Sequence, residues 1–182
     1  MSTEVLDVLQ EIQAGVFRHA APLPLKTDDK PEWQALAYQL GGIQLASPLD
    51  DVEEVLQMPR LTHLPGTKDW ILGVANVRGR LVPIVDTHRY LGIQPTVPRL
   101  EWRVLVVEDA GIVVGLVIEQ SLGMQYFLKE NFQQDAPDVV AAVQPYVKGA
   151  YRHGGGVFYV MNLKSLVGDD GFFDVAENGT KV

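Results

Sequence analysis

Hydrophobic positions along this chain keep two different periods. Near the start, Val5, Leu9, Ile12 and Val16 recur every three or four residues, with Val8 and Phe17 broadening the stripe. That is the spacing of an amphipathic helix, and Ser2 and Thr3 stand where a cap belongs. Pro22, Pro24 and Pro31, with Asp28 and Asp29 among them, then interrupt any regular pattern. Residues 1–32 therefore read as an amphipathic helix and a proline-rich linker. From Trp33 the period falls to two: Leu36, Tyr38 and Leu40 alternate with smaller or polar residues, Gly41 and Gly42 supply a tight turn, and Ile43 and Leu45 restart an extended run. This is a hairpin.

Strand patterns dominate the rest of the chain. Runs at 70–77, 80–85, 103–108, 112–119, 147–152 and 157–161 are short, rich in Val, Ile and Leu, and bounded by Gly, Pro, Asp or Asn, as expected of small barrels or a sandwich. Helical patches are brief, at Thr87–Leu91, Asp138–Val143 and Leu163–Val167. Val52–Leu56 fits either a helix or a strand.

Compared with itself, the chain shows a repeat. Residues 73–92 lie over residues 149–168 without a gap: glycines 73, 79 and 92 meet glycines 149, 155 and 168, the apolar pairs 81/157, 84/160, 85/161 and 91/167 coincide, and Asp86 falls on Asn162. Each copy reads as strand, glycine turn, strand, then an Asp or Asn capping a short helix. Two copies are too few for a solenoid, so a pair of similar β-subdomains packed together is expected.

Composition narrows the function classes. At 182 residues, 47% of them apolar, the chain can form one globular domain or two small ones. It has no cysteine, which excludes disulfides, Cys-ligated zinc, iron–sulfur clusters and thiol catalysis. With 23 acidic residues against 15 basic ones and a net charge of −8, its surface repels a phosphate backbone, so no nucleic-acid partner is expected. No stretch approaches the roughly 20 apolar residues of a membrane-spanning helix, and the acidic opening is unlike a secretory signal. The reading is a cytoplasmic protein without direct membrane insertion.

Catalytic machinery is not evident. There is no G-x-S-x-G elbow, and His19, His63, His88 and His153 are scattered with no i, i+4 pair, each reading as a surface histidine. Gly154, Gly155 and Gly156 form a hairpin turn rather than a phosphate cradle. The acidic group Asp50, Asp51, Glu53 and Glu54 lacks the order of a calcium loop and reads as a solvated face or as an electrostatic contact with Arg78 and Arg80. No metal and no cofactor are implied.

Residues 43–91 resemble the CheW family of chemotaxis coupling proteins. The likeness rests on Gly73-Val-Ala-Asn-Val-Arg-Gly-Arg-Leu-Val-Pro-Ile-Val-Asp86, which departs from the family block G-V-x-N-L-R-G-x-x-x-P-[IV]-x-D only at Val77, and continues weakly over residues 103–118 and 149–166. The resemblance implies a mainly β fold of two five-stranded β-barrel subdomains around a shared apolar zone at residues 33–168, with residues 169–182 as an acidic tail. It implies no catalysis. Family members bridge the cytoplasmic tip of a methyl-accepting chemoreceptor and the regulatory domain of a CheA-type histidine kinase, so recruitment to membrane-associated receptor arrays is expected. Carried over by position, Val52, Glu54, Gly73, Arg78, Gly79 and Val104 match positions at or supporting the receptor-facing surface, and Glu54 would pair with Arg78. The N-terminal extension and the ending Gly171-Phe-Phe-Asp-Val-Ala176 resemble members that serve type IV pili and twitching motility. The alternative is a small β-barrel enzyme or ligand-binding protein with its site between the barrels. The loop from Gly92 to Arg99, with Pro95 and Pro98, departs from the family pattern.

Overall fold

Alternation of side chains decides which residues of each strand meet which core. The computed structural model describes residues 33–136 and 138–173; the helix and linker expected over residues 1–32 lie outside them. Among the described residues the order is β1 (Trp33–Leu40), β2 (Ile43–Pro48), β3 (Glu54–Gln57), β4 (Ile71–Val77), β5 (Arg80–Val85), α1 (Thr87–Leu91), β6 (Arg103–Asp109), β7 (Ile112–Ile118), β8 (Gln120–Phe127), β9 (Phe132–Gln133), β10 (Val147–His153), β11 (Gly156–Met161), α2 (Leu163–Val167) and α3 (Asp170–Phe173).

The strands form two sheets, in the orders β3-β6-β7-β5-β4 and β8-β1-β2-β11-β10-β9. In the first, the chain leaving edge strand β3 reaches Thr62, whose amide and carbonyl pair with Val74 of the opposite edge strand β4 at 2.8 and 2.9 Å. The sheet thereby closes into a barrel. In the second, edge strands β8 and β9 are joined by the turn at Lys129–Asn131, and Trp33 of β1 stacks on Tyr151 of β10 at 5.2 Å although β2 and β11 stand between them in the sheet. This barrel has six strands rather than five, the sixth being the two-residue β9.

Three apolar cores result from the alternation. In β6, Val104 and Val106 fill the first barrel with Ala75, Val82 and Ile84, while Leu105 and Val107 face a layer shared with the second barrel. In β1, Ala35 and Ala37 line the second barrel with Phe127 and Phe158, while Leu36, Tyr38 and Leu40 face the shared layer. A strand buried on both faces needs apolar residues at every position, hence the unbroken run Val104–Val107.

The repeat is structural. β4, β5 and α1 correspond to β10, β11 and α2 at a constant offset, and both β4 and β10 carry a bulge at their glycine, Gly73 or Gly149. Asp86 caps α1 by accepting from the Arg89 amide, and Asn162 caps α2 by accepting from the Ser165 amide.

Four expectations are corrected. Residues 138–143 are not a helix: Val140 accepts from the Val143 and Gln144 amides in a single turn, and Pro145 stops its extension. Val52–Leu56, open between helix and strand, is extended: Val52 ends the 3₁₀ turn at Leu49–Asp51 and strand β3 begins at Glu54. Strand β8 carries no strand pattern, because Gln120, Ser121, Gly123 and Gln125 give no apolar alternation; it is an edge strand, with Gly123 at φ 78° where its register to β1 shifts. Residues 169–172, expected to open the tail, are folded: Phe172 is buried in the shared layer and Asp169 accepts from the hydroxyls of Tyr90 and Tyr146.

Candidate functional site: the mouth of the first barrel

The turn between β4 and β5 places both Arg78 (φ 50°) and Gly79 (φ 84°) at positive φ, the requirement of a type I′ hairpin turn. Glycine meets it freely. For arginine the left-handed conformation costs roughly 1–2 kcal/mol, so a device must hold it there. Asn76 accepts from the Gly79 amide at 2.8 Å, fixing the turn. Arg78 then reaches across the mouth to Glu54, with Nη2 to Oε2 at 2.8 Å. The expected pair forms, with the Arg78 side chain 78% exposed and that of Glu54 only 15% exposed.

Beside it, Arg80 lies 3.5 Å from Glu53 and 3.0 Å from Glu108. The Arg80 hydrogen bond holds the Glu108 carboxyl below its ordinary range. Val77, Val82, Val106 and Val113 floor this mouth, a hollow of about 350 Å³. An apolar floor under two guanidiniums and three carboxylates is suited to a protein surface, where charge sets orientation and on-rate more than affinity.

The site residues expected from sequence separate into distinct positions. Glu54, Arg78 and Gly79 lie together at the mouth. Val52 is half-buried against the shared layer. Gly73 is buried at φ 134°, and a Cβ there would overlap the Thr62 carbonyl oxygen, so glycine at 73 permits the pairing that closes the barrel. Val104 is fully buried within the barrel and presents no surface of its own. Sequence reasoning does not find Glu108, which only the pairing of β6 with its neighbours brings near Arg80.

A second polar cluster likewise gives no sequence signal. His88, expected at the surface, is 1% exposed, stacked on Trp102 at 5.0 Å, with Nδ1 3.5 Å from Asp86 and Nε2 3.8 Å from Glu119. Glu119, fully buried where β7 passes into β8, accepts from the Gly42 amide at 3.0 Å, the Thr96 hydroxyl at 2.9 Å and the Thr96 amide. One carboxylate thus ties the β1–β2 turn of the second barrel to the loop after α1. Burial alone would raise both carboxyls. For Asp86 it is outweighed by His88 and the Arg89 amide, and for Glu119 by the amides of Thr96 and Gly42, so both end below the ordinary range. No group of metal-ligating side chains is found among the described residues, and no helix there is long and apolar enough to cross a membrane.

Comparison with known proteins agrees with this architecture. The CheW-like domain family matches residues 34–170. Protein PilI of Pseudomonas aeruginosa is 38% identical over 169 residues, covering 93% of this chain and 94% of PilI. The chemotaxis protein CheW of Thermotoga maritima is 24% identical over 77% of this chain and 91% of its own. Among solved structures, the scaffolding protein CheW of Thermoanaerobacter tengcongensis superposes with a TM-score of 0.66 at 22% identity, covering 76% of this chain and 94% of that one, a likeness of fold. Twin barrels, the arginine held in a glycine's conformation, and a family match across nearly all the described residues converge: this chain belongs to the CheW-like family of chemotaxis-type signalling proteins.

Proposed function

We propose that the chain is a non-enzymatic scaffold that couples the cytoplasmic tip of a methyl-accepting chemoreceptor to the regulatory domain of a CheA-type histidine kinase, in a pathway that controls type IV pili and twitching motility. It works in the cytoplasm, recruited to receptor arrays, with residues 33–168 as its working domain. Similarity to PilI supports the pathway, and the strained Arg78 paired with Glu54 at the barrel mouth carries the assignment of the receptor face. Positive φ alone is shared with Ala110; what singles out Arg78 is that its long charged side chain stands at the hairpin tip and is oriented across the mouth by Glu54. In this reading Glu54, Arg78 and Gly79 meet the receptor, while Val52, Gly73 and Val104 support the barrel that presents them.

Mechanism here is positioning. A rigid body with two occupied surfaces places each partner at high effective concentration for the other. A ligand site between the barrels is disfavoured, because Leu45, Leu105, Leu116 and Met161, each at most 1% exposed, fill that layer. The test is capture of a soluble receptor cytoplasmic fragment by immobilised protein. Arg78→Glu sets two like charges face to face and is expected to weaken capture about tenfold or more with unfolding unchanged within about 1 kcal/mol; full capture by the folded variant removes Arg78 from the contact.

A further inference from the structure

Away from the barrel mouth, the loop that departs from the family pattern builds a second surface. It leads into the turn Arg99–Glu101, which places Leu100 at 95% exposure. A single exposed leucine is ordinary, but three observations set this one apart. First, it rims an open hollow of about 600 Å³ whose other apolar walls are Met58, Pro59 and Leu61. Second, the turn is anchored from behind: Trp102 donates from its indole to the Val97 carbonyl at 3.3 Å, Thr96 is tied to buried Glu119, and the Arg99 guanidinium lies 5.5 Å over the Trp102 ring. An anchor already fixed in place loses little freedom on binding. Third, the charged residues lining the hollow are Arg99 and Arg103, with no carboxylate among its lining side chains, in a chain whose net charge is −8. Arg103 donates through Nη1 to the carbonyls of Glu101 and Trp102, and the nearby Glu101 carboxylate accepts from Gln120 at 3.3 Å. The barrel mouth mixes both charges; this hollow is basic and apolar.

We propose that the hollow around Leu100 is a docking site for an acidic amphipathic helix of a partner protein, apolar residues seated on Leu100, Met58 and Leu61 and carboxylates meeting Arg99 and Arg103. A helix laid in a groove offers anchors one turn apart and flanking charges at that scale. The site is separate from the barrel mouth and does not depend on the receptor assignment.

The probe is a fluorescein-labelled synthetic helical peptide with leucine at every third or fourth position and glutamate on the flanks, titrated with the full chain by fluorescence anisotropy. Saturable binding is expected, weakened about tenfold by Leu100→Ser and by Arg99→Glu, with thermal unfolding unmoved by the exposed Leu100 substitution. Raising salt from about 50 to about 300 mM should weaken it several-fold, and the same peptide with lysine for glutamate should not bind. No saturable binding, equal binding of the lysine peptide, or binding indifferent to Leu100→Ser overturns the proposal. So does self-association, read by sedimentation velocity, that Leu100→Ser abolishes, since the occupant would then be a second copy of this chain.

Discussion

The two copies of the strand–turn–strand–helix unit share a backbone and differ in what they are asked to carry. Residues 71–92 and 147–168 place bulge, turn and cap at matching positions, and each cap residue donates its amide back to the carbonyl just before the unit, Asp86 to Trp70 and Asn162 to Tyr146, both at 2.8 Å. The turn that holds strained Arg78 in the first copy holds Gly154 at φ 58° in the second. The charged, buried cap Asp86 has the neutral, half-buried Asn162 as counterpart, and buried His88 has Lys164, which reaches out to Asp51 at 2.9 Å. Fold alone is satisfied by the second set. The first copy carries a strained arginine turn and a buried charged cap that the second lacks, and the proposed receptor face rests on that arginine turn.

That contrast can be broken at several points. The largest effect is expected at the bulge both copies need: Gly73→Ala forces a Cβ into the Thr62 carbonyl at a positive φ and should cost about 2–4 kcal/mol, read as a lower urea midpoint. Next come the caps. Asn162→Ala should cost about 1 kcal/mol, whereas Asp86→Ala, which also strips His88 and Arg89 of a buried partner, should cost about 2–3 kcal/mol. Equal losses would show that the buried cluster adds nothing to the cap.

The same carboxylates give a pH signature. Asp86 and Glu119 ionise more readily in the folded chain than at their ordinary values of 3.8 and 4.5. Their stabilisation is therefore complete above about pH 4.5 and is lost as pH falls through the lowered folded values. Urea midpoints measured from pH 6 down to pH 3, on approximate steps of one unit, should fall more steeply in the parent than in Glu119→Gln.

Smaller effects separate the turns. Gly154→Arg imposes left-handed strain and should cost about 1–2 kcal/mol. Arg78→Gly removes such strain while losing an exposed ion pair worth about 0–1 kcal/mol, so its unfolding should stay within about 1 kcal/mol of the parent. Its receptor capture should nevertheless fall.

Local signals make the repeat legible: a glycine where φ must be positive, an Asp or Asn before a short helix, and alternating apolar residues need no knowledge of distant chain. The Glu54–Arg78 pair is also within reach, since the family resemblance places both residues on one surface. Features that stay hidden depend on distant pairing. Glu108 meets Arg80 only because β6 and β5 both flank β7, and His88 is buried only because Trp102 and Glu119 come from elements 14 and 31 residues further along. Strand β8 escapes notice because an edge strand needs no apolar alternation. The six-strand count of the second barrel depends on β9, too short to carry a pattern.

The central claim is that one rigid body holds two proteins at once through different surfaces. Its most direct measurement is the mass, by light scattering after size exclusion, of a mixture of the full chain, a receptor cytoplasmic fragment and a CheA-type regulatory domain. The account predicts a ternary species that Arg78→Glu reduces to the binary complex with the kinase domain. Competition, in which either partner displaces the other from the parent chain, would contradict it.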